Sequence, residues 1–130
     1  GIDASGRFGE NTNWFAQFLW NEWDEFLDSD PNRDYRWTGM FAGVDYIAND
    51  RWTYSLLINY ADAHDLDDTG TIFEGINIRT LTLTASYYFM RNVKGVFEIN
   101  GDFMSEDNDA DFVGHESKES YIIIGLDAAF

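Results

Sequence analysis

A chain of 130 residues is enough for one domain, and its formal net charge of −16 coexists with an aromatic content of 18% that acidic disordered chains do not carry. The acidic balance excludes a nucleic-acid binder, which needs a basic face, and no run of ~18 apolar residues exists to make a transmembrane helix. Cysteine is absent, and the chain opens on Gly1 rather than Met, as a mature or trimmed product would.

Period-two patterning predicts seven strands in chain order, near 2–8, 14–23, 35–48, 52–61, 76–90, 94–104 and 121–130. The second has one rival, a helix over 14–26 in which Trp and Phe recur at mixed spacings. Alternation then sorts the side chains onto two faces. In the third segment Met40, Ala42, Val44 and Tyr46 share one face, which sends Trp37, Phe41 and Asp45 to the other. In the fourth, Trp52, Tyr54, Leu56, Ile58 and Tyr60 oppose Thr53, Ser55, Leu57 and Asn59. In the fifth, Leu81, Leu83, Ala85, Tyr87 and Phe89 oppose Thr80, Thr82, Thr84, Ser86 and Tyr88. In the sixth, Val93, Gly95, Phe97, Ile99 and Phe103 oppose Lys94, Glu98, Asn100 and Asp102. In the seventh, Ile122, Ile124, Leu126, Ala128 and Phe130 oppose Tyr121, Gly125 and Asp127. One face is therefore nearly continuous hydrocarbon, and the other carries hydroxyls, amides and charges. A soluble sandwich alternates in the same way, so alternation alone does not choose between water and lipid.

The connections discriminate further. Short ones (10–13, 49–50, 91–92) alternate with long ones (28–34, 64–75, 105–120), which puts all the tight turns at one end of a meander. Asn49-Asp50 and Arg91-Asn92 suit hairpins, because Asn and Asp tolerate the left-handed conformation. Most of the 24 acidic residues lie in or beside the long connections, while Arg51, Arg91 and Lys94 flank the short ones. Aromatic residues bracket the apolar stretch: Trp14, Trp20, Tyr46, Trp52, Tyr60, Tyr87 and Phe89. Transmembrane β-barrels combine short turns at one end, long loops at the other and aromatic girdles at both interfaces.

The last ten residues, Tyr-Ile-Ile-Ile-Gly-Leu-Asp-Ala-Ala-Phe, resemble the terminal strand of Gram-negative outer-membrane β-barrels. There the chain ends on an aromatic residue, preceded by alternate apolar residues and a glycine five positions upstream. Phe130, Ala128 and Gly125 stand at those positions, while Ile123 and Ala128 depart from the polar and the larger residue usual there. The resemblance implies an insertion signal read by the barrel assembly machinery. With the strand series and the loop asymmetry it extends over essentially the whole chain and points to the porin-like class. The expected fold is thus all-β, an antiparallel up-and-down transmembrane β-barrel. Its expected location is the bacterial outer membrane, with lipid and lipopolysaccharide around it and a periplasmic or extracellular protein as a further candidate partner.

Seven strands ending on the periplasmic side would begin outside, whereas bacterial barrels have an even number. This leads us to expect either an eighth strand or, given the many small inward residues (Gly39, Gly43, Thr80, Thr82, Thr84, Ser86, Gly125), the C-terminal portion of a larger barrel. Candidate lumen-facing charges are Asp45, Glu98, Asp102 and Asp127, with Arg7 and Lys94. Net negative walls favour cations, unless these acids pair with bases on other strands. Asp65, Asp67 and Asp68, and Asp107, Asp109 and Asp111, offer oxygen ligands for divalent cations, and His64 adds a nitrogen beside the first set, but neither set has the spacing of a calcium-binding hand. Loose cation binding at solvated acidic loops is the expectation there, and no cofactor is expected. Ser120, His115 and Glu116 are the nearest approach to a catalytic set and lack a third orienting group, so an enzyme is not expected. The functional expectation is a passive channel for small solutes or ions with a mild cation preference. The alternatives are a sheath around a partner such as a multihaem cytochrome, and a soluble barrel that binds an apolar ligand.

Overall fold

In the computed structural model the described residues are 1–25, 33–66, 77–103 and 120–129. They form seven strands: β1 (Ile2–Phe8), β2 (Thr12–Trp23), β3 (Tyr35–Ile47), β4 (Trp52–Asp62), β5 (Asn77–Met90), β6 (Val93–Asp102) and β7 (Tyr121–Ala128). A single 3-10 turn, His64–Leu66, follows β4. All seven strands join one antiparallel sheet in sequence order, β1 to β7, and the sheet does not close into a barrel. The helical rival for the second segment is not realised, since Thr12–Trp23 is extended throughout. Its five aromatic residues favour a pleated surface on which those side chains pack across strands.

The register keeps one parity across the whole sheet. A row running through Trp14, Val44, Leu56, Leu83, Ile99 and Ile122 links β2 to β7 through directly opposed pairs. Every member is apolar, as register selection by pattern requires, because a one-residue slip would reverse the faces. The opposing row runs Asn13, Asp45 and Ser55, then Thr84, Glu98 and Ile123. A bulge between Tyr88 and Met90 shifts the β5–β6 register just before the turn, where Met90 pairs with Val93.

The two faces differ in enclosure. Leu56, Leu83, Phe97 and Ile124 on the apolar face are 36%, 50%, 43% and 82% exposed, whereas Thr82, Ser86 and Asn100 on the polar face are 9%, 8% and 6% exposed. Among the described residues no second sheet covers the apolar side, and the polar side is the more enclosed of the two.

Turn chemistry departs from expectation. Among the described residues only Gly9 and Glu25 have positive φ, so Asn49-Asp50 and Arg91-Asn92 do not use the left-handed conformation. Instead the Asn49 side-chain oxygen accepts from the backbone N–H of Arg51 (2.9 Å) and of Trp52 (3.1 Å), closing a wider loop. Asn92 ties the turn to the last strand: its side-chain amide donates to the Ala129 carbonyl at 2.9 Å, and the Ala129 N–H returns to the Asn92 carbonyl at 3.0 Å. Side-chain capture of backbone groups is the alternative that short amides offer to a left-handed backbone. Gly9 carries the positive φ that the first turn needs.

Candidate functional site: the polar face

Cross-strand hydrogen bonds between directly opposed residues build the polar face on β3 to β7. Ser55 Oγ donates to Asp45 Oδ1 at 2.6 Å, and Asn59 Nδ2 donates to Thr80 Oγ1 at 3.0 Å. Thr82 Oγ1 donates to Asn100 Oδ1 at 2.7 Å, the most enclosed of the set. Thr84 Oγ1 donates to Glu98 Oε2 at 3.0 Å, and the Tyr121 hydroxyl donates to Glu98 Oε1 at 3.3 Å. Toward the short-turn end, Lys94 Nζ lies 3.3 Å from Asp127 Oδ2. Each pair is a register pair, apart from Tyr121 with Glu98, which is a diagonal one. A ladder of this kind satisfies its own donors and acceptors, which is the condition for placing polar groups away from water.

The six charged residues anticipated for this face, Asp45, Glu98, Asp102, Asp127, Arg7 and Lys94, all fall on it by register. They are not brought together. Asp45 and Glu98 are held by hydroxyls, and Asp127 by Lys94. The Asp102 N–H donates to Ser120 Oγ at 3.1 Å, and Arg7 reaches back to the Glu10 carbonyl of its own turn.

The face is not polar throughout. On β2 and β3 it carries Phe15, Leu19, Trp23, Tyr35, Trp37 and Phe41, with Phe15 and Phe41 in tilted contact at 5.9 Å. The Phe15 ring lies across Gly43, its opposed residue, where a Cβ would run into it. Near the long connections Tyr35, Ala63 and Leu66 are buried together, with Trp23 and Trp37 packed against them. The side-chain oxygen of Asn21 accepts from the indole N–H of Trp23 at 2.6 Å and of Trp37 at 2.8 Å. Sequence alternation placed Trp37 and Phe41 on this face but assigned no face to β2, which bears large side chains at both parities.

The apolar face carries aromatic groups toward both of its ends. At the short-turn end Trp52 stacks on Tyr54 (5.9 Å) and meets Tyr87 (4.9 Å), which meets Phe89 edge-on (5.1 Å). Trp14 stacks with Phe8 at 6.0 Å, Tyr46 is opposite Tyr54, and Arg51 Nη1 donates to the Tyr87 hydroxyl at 3.0 Å. At the other end Trp20 is exposed, and the Tyr60 hydroxyl donates to Asp62 at 3.0 Å, with the Arg79 guanidinium 5.9 Å from its ring centre.

Asp65, expected as a weak cation ligand, is engaged with protein groups: its carboxylate accepts from the Arg36 N–H at 3.1 Å and its carbonyl from Arg33 at 3.1 Å. Asp67, Asp68, Asp107, Asp109, Asp111, His115, Glu116 and Phe130 lie outside the described residues. Of the terminal-strand positions, Gly125 and Ala128 are described; a Cβ added at Gly125 would meet nothing within 4 Å. Exposed carboxylates of Glu22, Asp24 and Asp34 come within 4.8 Å of one another across the β2–β3 connection, but Arg36 sits 3.4 Å from Glu22 and offsets part of their charge.

No family model matches the chain, and neither the curated proteins nor the solved structures give a match.

Proposed function

We propose that this sheet is part of the wall of a transmembrane β-barrel in a bacterial outer membrane, and that the barrel passes small solutes or ions passively, with a mild preference for cations. The observation that carries the proposal is the inverted enclosure of the two faces, with Leu83, Ile124 and Leu126 exposed while Thr82, Ser86 and Asn100 are buried. Lipid is the solvent that matches such a surface, because a contiguous exposed apolar face of this extent is unfavourable in water. The strand lengths support it: Trp52 to Tyr60 is an aromatic-to-aromatic run of nine residues, within the ~9–11 that a tilted strand needs to cross. The soluble-barrel alternative would place the apolar face on the concave side, and the burial runs the other way.

A polar interior conducts without covalent chemistry, by offering hydrogen bonds and charge to a hydrated solute. The described residues of that face carry five acids (Asp3, Asp45, Glu98, Asp102 and Asp127) against two bases (Arg7 and Lys94), a balance that favours cations, and hydroxyls hold the Asp45 and Glu98 side chains in place. Two measurements test the proposal, the first on isolated membranes and the second on the protein extracted from them. Carbonate and urea washing should leave it in the membrane fraction, and release into the wash refutes a spanning barrel. In planar bilayers under a potassium chloride gradient it should conduct with a reversal potential on the cation side, and anion selectivity refutes the assigned role of the acids.

One observation favours a second reading, a sheath around a protein partner such as a multihaem cytochrome. Phe15, Phe41 and Trp37 put apolar rings on the inner face of β2 and β3, where a dry protein contact suits them better than water. A sheath predicts poor conductance and a haem absorption band in the purified complex.

A further inference from the structure

On the β2–β4 side the inner face carries an apolar platform, and one glycine shapes it. Gly43 is opposed by Phe15 on β2 and by Leu57 on β4. Were Gly43 given a Cβ, Cε1 and Cε2 of the Phe15 ring would each stand 2.9 Å from it, with Cζ nearer still. The closeness of all three ring atoms places that Cβ over a face of the ring and not beyond its edge. Phe15 therefore lies flat on β3, with one ring face against Gly43 and the other turned away from the sheet. Only a residue without a side chain allows so close an approach. Phe41, two residues back along β3, meets Phe15 at a tilt of 58°, and Leu57 bounds the platform on β4. All three side chains are half-buried, so part of each is open to a ligand.

Two carboxylates flank the platform. Asp3 on β1 and Asp45 on β3 share its face, and each is diagonal to Phe15 in the register, a separation of ~7–8 Å that a small bound molecule can bridge. Ser55 holds Asp45 through Oδ1. Among the described residues no further side chain holds Asp45, and none holds Asp3. The nearest base in the register, Arg7, donates to the Glu10 carbonyl of its own turn.

This combination suits one kind of solute. A hydrated potassium ion keeps its water and gains little from apolar rings. A neutral aromatic solute gains nothing from the acids, and an anionic one is repelled by them. An organic ammonium ion with an apolar body uses both, because its weakly hydrated charge is drawn to the negative face of a ring and to carboxylates while its hydrocarbon leaves water. We propose that Phe15, Phe41 and Leu57, with Asp3 and Asp45, form a binding site for organic ammonium ions that carry an apolar group. The proposal rests on the channel reading and names a substrate class for it.

The test uses the extracted native protein and three probes of similar size: benzyltrimethylammonium, benzyl alcohol and benzoate. Binding is read in detergent from tryptophan emission, and block of the potassium chloride current is read in planar bilayers. Benzyltrimethylammonium should bind and reduce the current in a saturable way, and the other two should do neither at the same concentration. Phe15→Leu, which keeps an apolar side chain and removes the ring, should weaken binding roughly three- to tenfold. Asp45→Asn, which can still accept from Ser55, should weaken it by a similar factor, so the expectation stands on a second protein if the first fails to fold. A parent that conducts potassium chloride but neither binds the ammonium probe nor is blocked by it overturns the site and leaves the channel intact. Equal binding of benzyl alcohol overturns the part given to the acids, and with it the proposal. A parent that does not conduct refutes the channel, and with it the assignment of these cations as its substrates.

Discussion

A charge placed in the middle of the apolar face distinguishes lipid from water most sharply. Leu83 sits midway along β5, four residues from Tyr87 toward the short turns and four from Arg79 toward the long connections. At ~3.3 Å per residue that is about 13 Å of strand on either side. Its opposed neighbours are Leu56 and Ile99, so no polar partner lies beside it in the ladder. In a bilayer Leu83→Arg should cost about 2–4 kcal/mol, whereas Phe89→Arg, in the aromatic rim, should cost about 0–1 kcal/mol. At about 1.4 kcal/mol per tenfold, the first is a loss of roughly 30- to 1,000-fold in the folding equilibrium. On a water-exposed surface both would fall within about 0.5 kcal/mol of the parent. The assay is urea unfolding of protein folded into lipid vesicles, followed by tryptophan emission. Equal, small effects of the two substitutions would refute the lipid-facing assignment, since only a bilayer makes the cost depend on depth.

Three more outcomes are expected. Asn100→Ala should cost about 1–3 kcal/mol by stranding the enclosed Thr82 hydroxyl, and Thr82→Val made in the same protein should recover part of it, both read by the same unfolding curves. Gly43→Val should destabilise by about 1–3 kcal/mol because its side chain meets the Phe15 ring, and Phe15→Ala should relieve the clash in a double-mutant cycle. Asp45→Asn with Glu98→Gln should move the reversal potential toward zero selectivity, whereas Asp127→Asn, whose partner Lys94 already offsets it, should move it least.

The strands and their two faces were legible because a period of two needs no knowledge of partners. β4 and β5 alternate so regularly that their pairing, Leu56 with Leu83 and Ser55 with Thr84, follows from pattern and parity. β2 was half legible: Phe15, Leu19 and Trp23 share a face with Asn13 and Gln17, so its inner side could not be read as polar or apolar from spacing alone. The acidic stretch beginning at Asp65 suggested cation ligands. The contacts Asp65 makes depend on Arg33 and Arg36, about thirty residues earlier, and on a turn that buries Leu66 against Tyr35. Such contacts carry no periodic signal. The Asn49 turn illustrates the same limit on a small scale: residue type announced a turn, but whether the backbone or the side chain would make it depended on local geometry.

The two open edges carry the membrane reading to its last consequence. β1 and β7 are first and last in an antiparallel series of odd length, so they run in the same direction. Unpaired backbone groups along either edge cannot face hydrocarbon, where each would cost several kcal/mol. A spanning barrel therefore closes in one of two ways: β1 meets β7 in a parallel pair, or an odd number of further strands lies between them and keeps every pairing antiparallel. Cysteines at Ala4 and Ile124, both at apolar-face positions within the edge strands, separate the cases. A shifted series of such pairs should form a disulfide in at least one register if the edges meet directly, because bridging needs Cα atoms within about 7 Å. The even-numbered, all-antiparallel barrel expected from the pattern predicts that none forms. A disulfide at any register in membrane-embedded protein would show that seven strands suffice and that the wall needs no further strand.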